Sequence, residues 1–395
     1  MAVLAPGRYP GGPAVTDPFD TPERRDLGAL VRDFTTRGIV PHLDTWEREN
    51  MIPRSIHKAA AAAGLLGVGY PEAVGGSGGD ALDTIVLTEA MILAGGSGGL
   101  MAGLFNHNLA VPHMVASGDR RLIATYVRPT LAGEKIGSLG VTEPDGGSDV
   151  ANLRTRAVRD GDHYVVNGAK TFITSAVRGD YVTTAVRTGA PGYQGISLLV
   201  IENTSPGFTV SRRLDKMGWH CSDTAELSFV DVRVPVENRI GGENEGFAHI
   251  MGQFQNERIW LAAVAYATAQ RCLDLTVEWT KMRNTFGKPL SSRQIVRHQL
   301  VEMTQRIELA RTYTRSIAAQ MVAGHDVVAQ VCMAKNAAVA ACDFVVDRAV
   351  QLHGGLGYLR DSEVERHYRD AKILGIGGGA TEVMTDLAAK RLGYQ

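Results

Sequence analysis

Few residue groups in this chain have types and spacings that suit chemistry. One is the run ILGIGGGATEV, residues 373–383, which concentrates glycine and carries no carboxylate before Glu382. Such a run can be a phosphate cradle, a hinge, or a position that a catalytic side chain has vacated. A dinucleotide fingerprint sets its glycines between a strand and a helix, with an acid about 20 positions on; here the preceding segment, residues 365–372, is polar and helix-like. A second group is VTEPDGGSD, residues 141–149, whose hydroxyls, glycines and acids make a turn-rich loop able to offer N–H and O–H groups to a polar ligand. An ordinary solvated turn has the same composition. The third is the pair Glu257-Arg258 within FQNERIWLAAVAYA, residues 254–267. Early in a helix such a pair is ordinarily solvated. The histidines offer no metal site: His107 and His113 are six apart, His353 and His367 fourteen apart, and neither is a ligand spacing on one helix face. Ser148 has no histidine in its motif to act as a base, so nucleophilic catalysis is the weaker reading.

Composition narrows the setting. With 41 Lys and Arg against 42 Asp and Glu, the formal net charge is −1, which argues against a nucleic-acid partner and a polybasic membrane anchor. Hydrophobic residues make up 44% of the 395, enough for a substantial core. Cys221, Cys272, Cys332 and Cys342 form no CxxC pair, so a reducing compartment and a cytoplasmic location are expected. No run of about 18 apolar residues stands out, so no membrane span is expected. Residues 1–20, rich in Pro and Gly, read as a flexible arm without a signal-peptide core.

The elements that must position these groups fall into three sections of an α+β chain. Residues 21–133 read as an N-terminal helical domain: Thr21-Pro22-Glu23 suits a cap and first turn, and Leu27, Leu30, Val31 and Phe34 make one apolar face. Further helices are expected over 54–63, 80–94 and 119–132. Residues 134–246 turn to short β-rich runs, a middle antiparallel β domain in which Asn167-Gly168 signals a hairpin. Residues 247–395 return to helix as a C-terminal four-helix bundle. Its apolar stripes are Val296, Leu300, Met303, Ile307 and Ala310, then Val331, Ala334, Ala338, Ala341 and Val345.

VTEPDGGSD is followed in order by KTFITS (170–175), RNTFGKPLSSRQ (283–294) and QLHGGLGYLRDSEVERHYRDAKI (351–373). Together these resemble the acyl-CoA dehydrogenase family, over roughly residues 22–393. The resemblance implies FAD between the β domain and the bundle, reaching across to a neighbouring subunit of a homo-oligomer, a tetramer built as a dimer of dimers. It implies that Thr142, Gly147 and Ser148 hold the flavin, with Phe172, where many relatives carry Trp, and Thr174 beside the ring system. From the neighbouring subunit, Arg283, Phe286, Gln294, Gln351, Gly354 and Gly355 match residues that contact the adenosine diphosphate portion. Glu382 is also assigned to the cofactor, with a reserve role as base.

Members of the family oxidise an acyl-CoA thioester to the trans-2-enoyl-CoA, a carboxylate taking the Cα proton as hydride leaves Cβ for the flavin. In many relatives this carboxylate is the Glu of a Tyr-Glu-Gly-Thr run; here residues 377–380 read Gly-Gly-Gly-Ala, and Gly378 stands in its place. Long-chain and isovaleryl-CoA dehydrogenases instead carry the base on the first long helix of the bundle, directly before an arginine. That assigns the role to Glu257, with Arg258 beside it, and leaves Gly378 a part through its N–H, which polarises the thioester carbonyl. Substrate contacts are expected from Ser148, Phe254 and Arg258. Leu100 and Leu104, on a helix over 99–111, and Gly377 make an apolar, wide acyl route suited to long or branched chains, unless Phe105 or Trp260 fills it. Electrons are expected to pass to an electron-transferring flavoprotein. The alternatives are an oxidase reoxidised by oxygen and a non-catalytic partner subunit of a hetero-oligomer.

Overall fold

The computed structural model describes residues 17–394. The flexible arm expected over 1–20 lies outside the described residues as far as residue 16. Thr21 starts the first helix by accepting a hydrogen bond from the N–H of Arg24, with Pro22 in the first turn. The N-terminal helices are α1 Pro22–Gly38, α2 Val40–Glu49, α3 Arg54–Ala62, α4 Ala81–Leu93, α5 Gly98–Leu104, α6 His107–Ala110, α7 Pro112–Ser117, α8 Arg120–Leu122 and α9 Arg128–Leu131, with a π-helical turn Ile123–Val127 joining the last two. Arg24 reaches from α1 to Asp80 and Asp83 at the head of α4, 3.0 and 2.9 Å away, where the two carboxylates also cap the helix reciprocally. The single helix expected over 99–111 is broken at Phe105 and Asn106. The Asn106 side chain donates to the carbonyls of Gly137 (2.9 Å) and Thr174 (3.0 Å), which ties the break to the sheet.

The strands are β1 Gly137–Gly140, β2 Arg156–Asp160, β3 His163–Thr174, β4 Tyr181–Arg187, β5 Ile196–Glu202, β6 Phe208–Arg213, β7 Thr224–Pro235 and β8 Arg239–Ile240. They pair in the order β6-β7-β3-β2-β4-β5-β8, with β1 against β4. An antiparallel sheet is expected, and most of its pairs are antiparallel, but β1 and β2 each run parallel to β4. Alternation along β4 and β5 divides their side chains between two cores. Tyr181, Ala185, Ile196, Leu198 and Val200 pack with Val111 and Met114, while Val182, Val186, Leu199 and Ile201 pack with Val166 and Leu227.

Asn167-Gly168 is not a hairpin. β3 runs straight through it, and the turn into β3 is made earlier, at Gly161 and Asp162, between Asp160 and its partner His163. Position 167 is instead a bulge against β7, where the Asn167 amide donates to the Asp231 carboxylate at 3.0 Å. Gly168 has φ of 150°, and a Cβ there would lie 2.7 Å from Thr155 Cα. The signal marked a place where a side chain does not fit rather than a chain reversal.

Helices α10 Gly246–Met282, α11 Gln294–Val322, α12 Val328–His353, α13 Glu363–Ala371 and α14 Thr381–Leu392 complete the chain, with a small hairpin of β9 Asn284–Thr285 and β10 Lys288–Pro289 between α10 and α11. At about 1.5 Å per residue, α10 spans roughly 55 Å and packs on both α4 and α12. Its stretch from Leu261 to Ala269 is buried throughout. Of the two stripes, every α12 position is buried and on α11 only Leu300 is partly exposed. The segment Val328–Tyr358 is long and apolar enough to cross a membrane by length and composition, against expectation; most of its apolar stretch is buried inside the protein, where α12 packs against α10 and α11. Gly168→Ala should lower stability by about 1–3 kcal/mol through overpacking against the Thr155 backbone, measurable by urea unfolding; an unchanged midpoint would show that the bulge accepts a side chain.

Candidate active site

A cavity of about 1510 Å³ lies where the N-terminal helices, the sheet, α10 and α14 meet. Sites for one small ligand run to about 300–1,000 Å³, so this one has room for two molecules side by side. Its polar wall is the 141–149 loop, folded back on itself by a bridge between Glu143 and Gly146. The Glu143 carboxylate accepts from the N–H groups of Arg154 (2.5 Å) and Thr155 (2.8 Å) and from Lys170 Nζ (2.8 Å). Lys170, fully buried on β3, also donates to the Val141 carbonyl at 3.1 Å. Burial drives the Lys170 amine down to about 8 against the pull of Glu143. For Glu143, burial acts upward, but Lys170 and the hydrogen bonds hold it below the ordinary carboxylate value. The loop is thus anchored from inside the sheet, and Thr142, Gly147 and Ser148 all line the cavity.

Phe172 and Thr174 line it as well. The register of β3 against β7 slips between Lys170 and Ile173, and within this bulge Phe172 takes a φ of 59°. A bulky residue in that region of backbone space is strained, and such strain gathers at functional sites. The result is an aromatic ring 68% exposed on the cavity wall. A flat face, hydroxyls from Thr142, Ser148 and Thr174, and a loop open enough at Gly146 to admit close approach suit a planar aromatic cofactor with a polar tail.

Across the cavity, α10 presents Phe254, Glu257, Arg258, Trp260 and Leu261 to the turn Gly377–Gly379. Gly378 has φ of 62°, and a Cβ built there would stand 2.3 Å from Leu261 Cδ1 and 3.3 Å from Glu257 Oε1. The Glu257 carboxyl therefore occupies the space that a side chain from position 378 would enter. Burial raises its proton affinity, with Lys335 and then Arg258 pulling the other way. Arg258 is buried, its guanidinium 5.4 Å from the Phe254 ring and its Nε without a hydrogen-bond partner among the described residues.

Other expected residues fall elsewhere. Leu100 and Leu104 are buried in the helical core rather than on the cavity wall, to which α5 presents Ala102 instead; Phe105 and Trp260 line the wall as well. Glu382 is exposed, while its neighbours Val383, Asp386 and Leu387 face the cavity from α14. Gly377 is on the wall. Arg283, Phe286, Gln294, Gln351, Gly354 and Gly355 lie on the surface, outside the cavity. Trp279 joins the ends of α10 and α12 there by stacking on His353 at 5.4 Å, and the Arg283 guanidinium lies 5.9 Å over the Trp279 ring. Sequence reasoning missed Asn106, whose signal was a polar residue interrupting an apolar helix. It also missed Trp219, which lines the cavity at φ of 53° with its backbone N–H donating to the Asp370 carboxylate at 2.5 Å.

Three family models match the chain in order: acyl-CoA dehydrogenase N-terminal domain over residues 21–134, middle domain over 138–232 and C-terminal domain over 244–393. A solved structure of a probable acyl CoA dehydrogenase from Mycobacterium abscessus is similar at 63% identity and a TM-score of 0.94, covering 95% of this chain and 100% of its own. The mitochondrial isobutyryl-CoA dehydrogenase of Bos taurus is 34% identical over 371 residues, 94% of this chain and 89% of its own length. The mitochondrial long-chain specific acyl-CoA dehydrogenase of Mus musculus is 34% identical over 367 residues, 92% and 84% of the two.

Glu143→Gln should cost about 3–5 kcal/mol, the usual penalty for leaving one partner of a buried ion pair uncompensated. Thermal unfolding of the variant measures this, and retention of stability would remove Lys170 as the anchor of the loop.

Proposed function

The chain belongs to the acyl-CoA dehydrogenase family, flavoprotein oxidoreductases acting on CH–CH groups, and from that membership we propose that it oxidises a long or branched acyl-CoA to the trans-2-enoyl-CoA, with Glu257 as its base. The observation that carries the reading is the placement of the Glu257 carboxyl against Gly378, in the space from which a side chain at 378 would act.

FAD is the cofactor of the family, and the residues on the cavity wall fit it: the Phe172 face and the Thr174 hydroxyl for the ring, and the anchored loop with Thr142, Gly147 and Ser148 for the polar tail. When bound, it supplies the two-electron acceptor for the hydride leaving Cβ. The remaining work is done by this chain. Glu257 takes the Cα proton; burial makes it a stronger base than an exposed carboxylate. The Gly378 N–H stabilises the negative charge that develops on the thioester oxygen. Phe254, Trp260, Phe105 and Leu261 keep water from the reacting carbons. Electron-transferring flavoprotein is the proposed acceptor. The surface group of Arg283, Phe286, Gln294, Gln351, Gly354 and Gly355 is read as serving a neighbouring subunit's cofactor in a tetramer. In support, Phe286 is 98% exposed, and Ile295, Val301 and Leu309 present apolar side chains outward from α11. The four cysteines, all free and buried, fit a reducing compartment, the cytoplasm.

Glu257→Gln should keep FAD and lose turnover by a factor of about 10²–10⁴, the usual contribution of a positioned base. In the unaltered protein kcat/KM should fall as pH drops through a value above the ordinary carboxylate range, because the raised base must be ionised to act; near-normal turnover of Glu257→Gln would assign the proton to another group. Substrate width is tested at Gly377, where a Cβ would meet nothing closer than the Ile373 carbonyl at 3.5 Å. Gly377→Phe should fold and move the kcat/KM optimum to shorter or unbranched thioesters, at about 0.8 kcal/mol for each CH₂ no longer accommodated. An unchanged profile from C4 to C16 would place the acyl group away from this wall.

A further inference from the structure

Lys335 stands in the apolar stripe of α12 with its side chain fully buried. Its Nζ donates to the carbonyls of Gly377 (2.8 Å) and Gly379 (2.5 Å), the two residues that flank Gly378. Positive φ at Gly378 (62°) and Gly379 (97°) lets the turn bring both carbonyls to one ammonium. In a trans peptide the N–H points opposite to the carbonyl bonded to it. With the Gly377 oxygen held on Lys335, the Gly378 N–H therefore faces away from α12. Among the described residues it has no acceptor, while Gly378 itself lines the cavity. An unpaired backbone donor within a protein wall is available to a ligand.

The same ammonium contributes to the charge of the site. The titratable groups that face it are Glu257 and Arg258 from α10 and Cys332 from its own helix, and residues 373–380 bring none. Among the described residues, the charged groups that act on Glu257 in turn are Lys335 and Arg258. Burial lowers the Lys335 amine to about 8, against the pull of Glu257, which leaves it cationic at neutral pH.

We propose that Lys335 is a positioning residue of the reaction: it holds the Gly377–Gly379 turn so that the Gly378 N–H meets the thioester oxygen, and its charge favours the carboxylate form of Glu257. This rests on the reading of Glu257 and Gly378 given above, and the test separates the two. Acetoacetyl-CoA, bound to the FAD-loaded protein, ionises at Cα to an ultraviolet-absorbing enolate without any electron transfer. A polarised thioester oxygen lowers the pH at which this happens, whichever residue serves as base in turnover.

Lys335→Met should raise that titration midpoint by about one pH unit or more and move the acid limb of kcat/KM upward by a similar amount, as expected when a carboxylate loses a neighbouring cation. Its kcat should fall about tenfold or more, with KM changed less. Lys335→Gln, which keeps a neutral donor, should recover part of the enolate shift but not the acid limb. Glu257→Gln should cut turnover by about 10²–10⁴ yet still form the enolate, at a midpoint no higher than in the unaltered protein, so an active Glu257→Gln overturns the base and not the clamp. Lys335→Met with wild-type enolate titration and acid limb overturns the proposal; if that variant does not hold FAD, Lys335→Gln with both unchanged does so equally.

Discussion

The closeness of α10 to the Gly377–Gly379 turn governs the chemistry of this site. Leu261 and Glu257 fill the ground in front of position 378, and a Cβ there would press 2.3 Å onto the Leu261 methyl. A carboxylate cannot then come from the turn without moving α10 side chains, and its backbone φ of 62° adds a further cost for any residue but glycine. Exchanging the two roles, with a glutamate at 378 and glycine at 257, would have to displace Leu261 as well. A change of residue at 378 is therefore tied to the packing of α10 against the turn, not to that position alone.

A second constraint has the same form on both sides of the cavity. Lys170 from the sheet takes the Val141 carbonyl and the Glu143 carboxylate, and Lys335 from the bundle takes the Gly377 and Gly379 carbonyls. Each amine is fully buried and each is driven down to about 8 by desolvation. A buried ammonium is costly unless it is fully hydrogen-bonded, so each can be accommodated only if its loop keeps one shape. That requirement gives two irregular loops the rigidity that a site built from backbone groups needs.

Much of this was legible in the sequence because periodicity reports burial directly. The stripes on α11 and α12, the Thr21 cap and the order of helical and β sections all follow from local pattern. Within the site, Glu257, Phe172 and the 141–149 loop were legible through motif resemblance, and the geometry brings them to one cavity. What failed had tertiary causes. Asn167-Gly168 has hairpin composition, but the glycine is required by the Thr155 backbone 2.7 Å from its would-be Cβ. Leu100 and Leu104 follow a helical face that ends at Asn106, whose amide is claimed by carbonyls 31 and 68 residues away in sequence. Lys335 sits at a core position of a helix, and nothing in its neighbours announces the carbonyls of a turn 42 residues on.

Overall resemblance does not choose the acyl group, since isobutyryl-CoA and long-chain relatives both stand at 34% identity. The choice falls to the wall, and here two adjacent glycines differ in kind. At 378 a side chain is excluded by Leu261, so the glycine is a condition of α10 packing this close to the turn. At 377 a Cβ would make only ordinary contacts with Ile373, between 3.5 and 4.0 Å, so packing does not require the glycine. Space left open where a side chain would fit is space available to substrate. Phe105 and Trp260 line other parts of the same cavity. In the proposed reading, position 378 thus leaves the proton to Glu257, and position 377 sets how much acyl group can stand beside it.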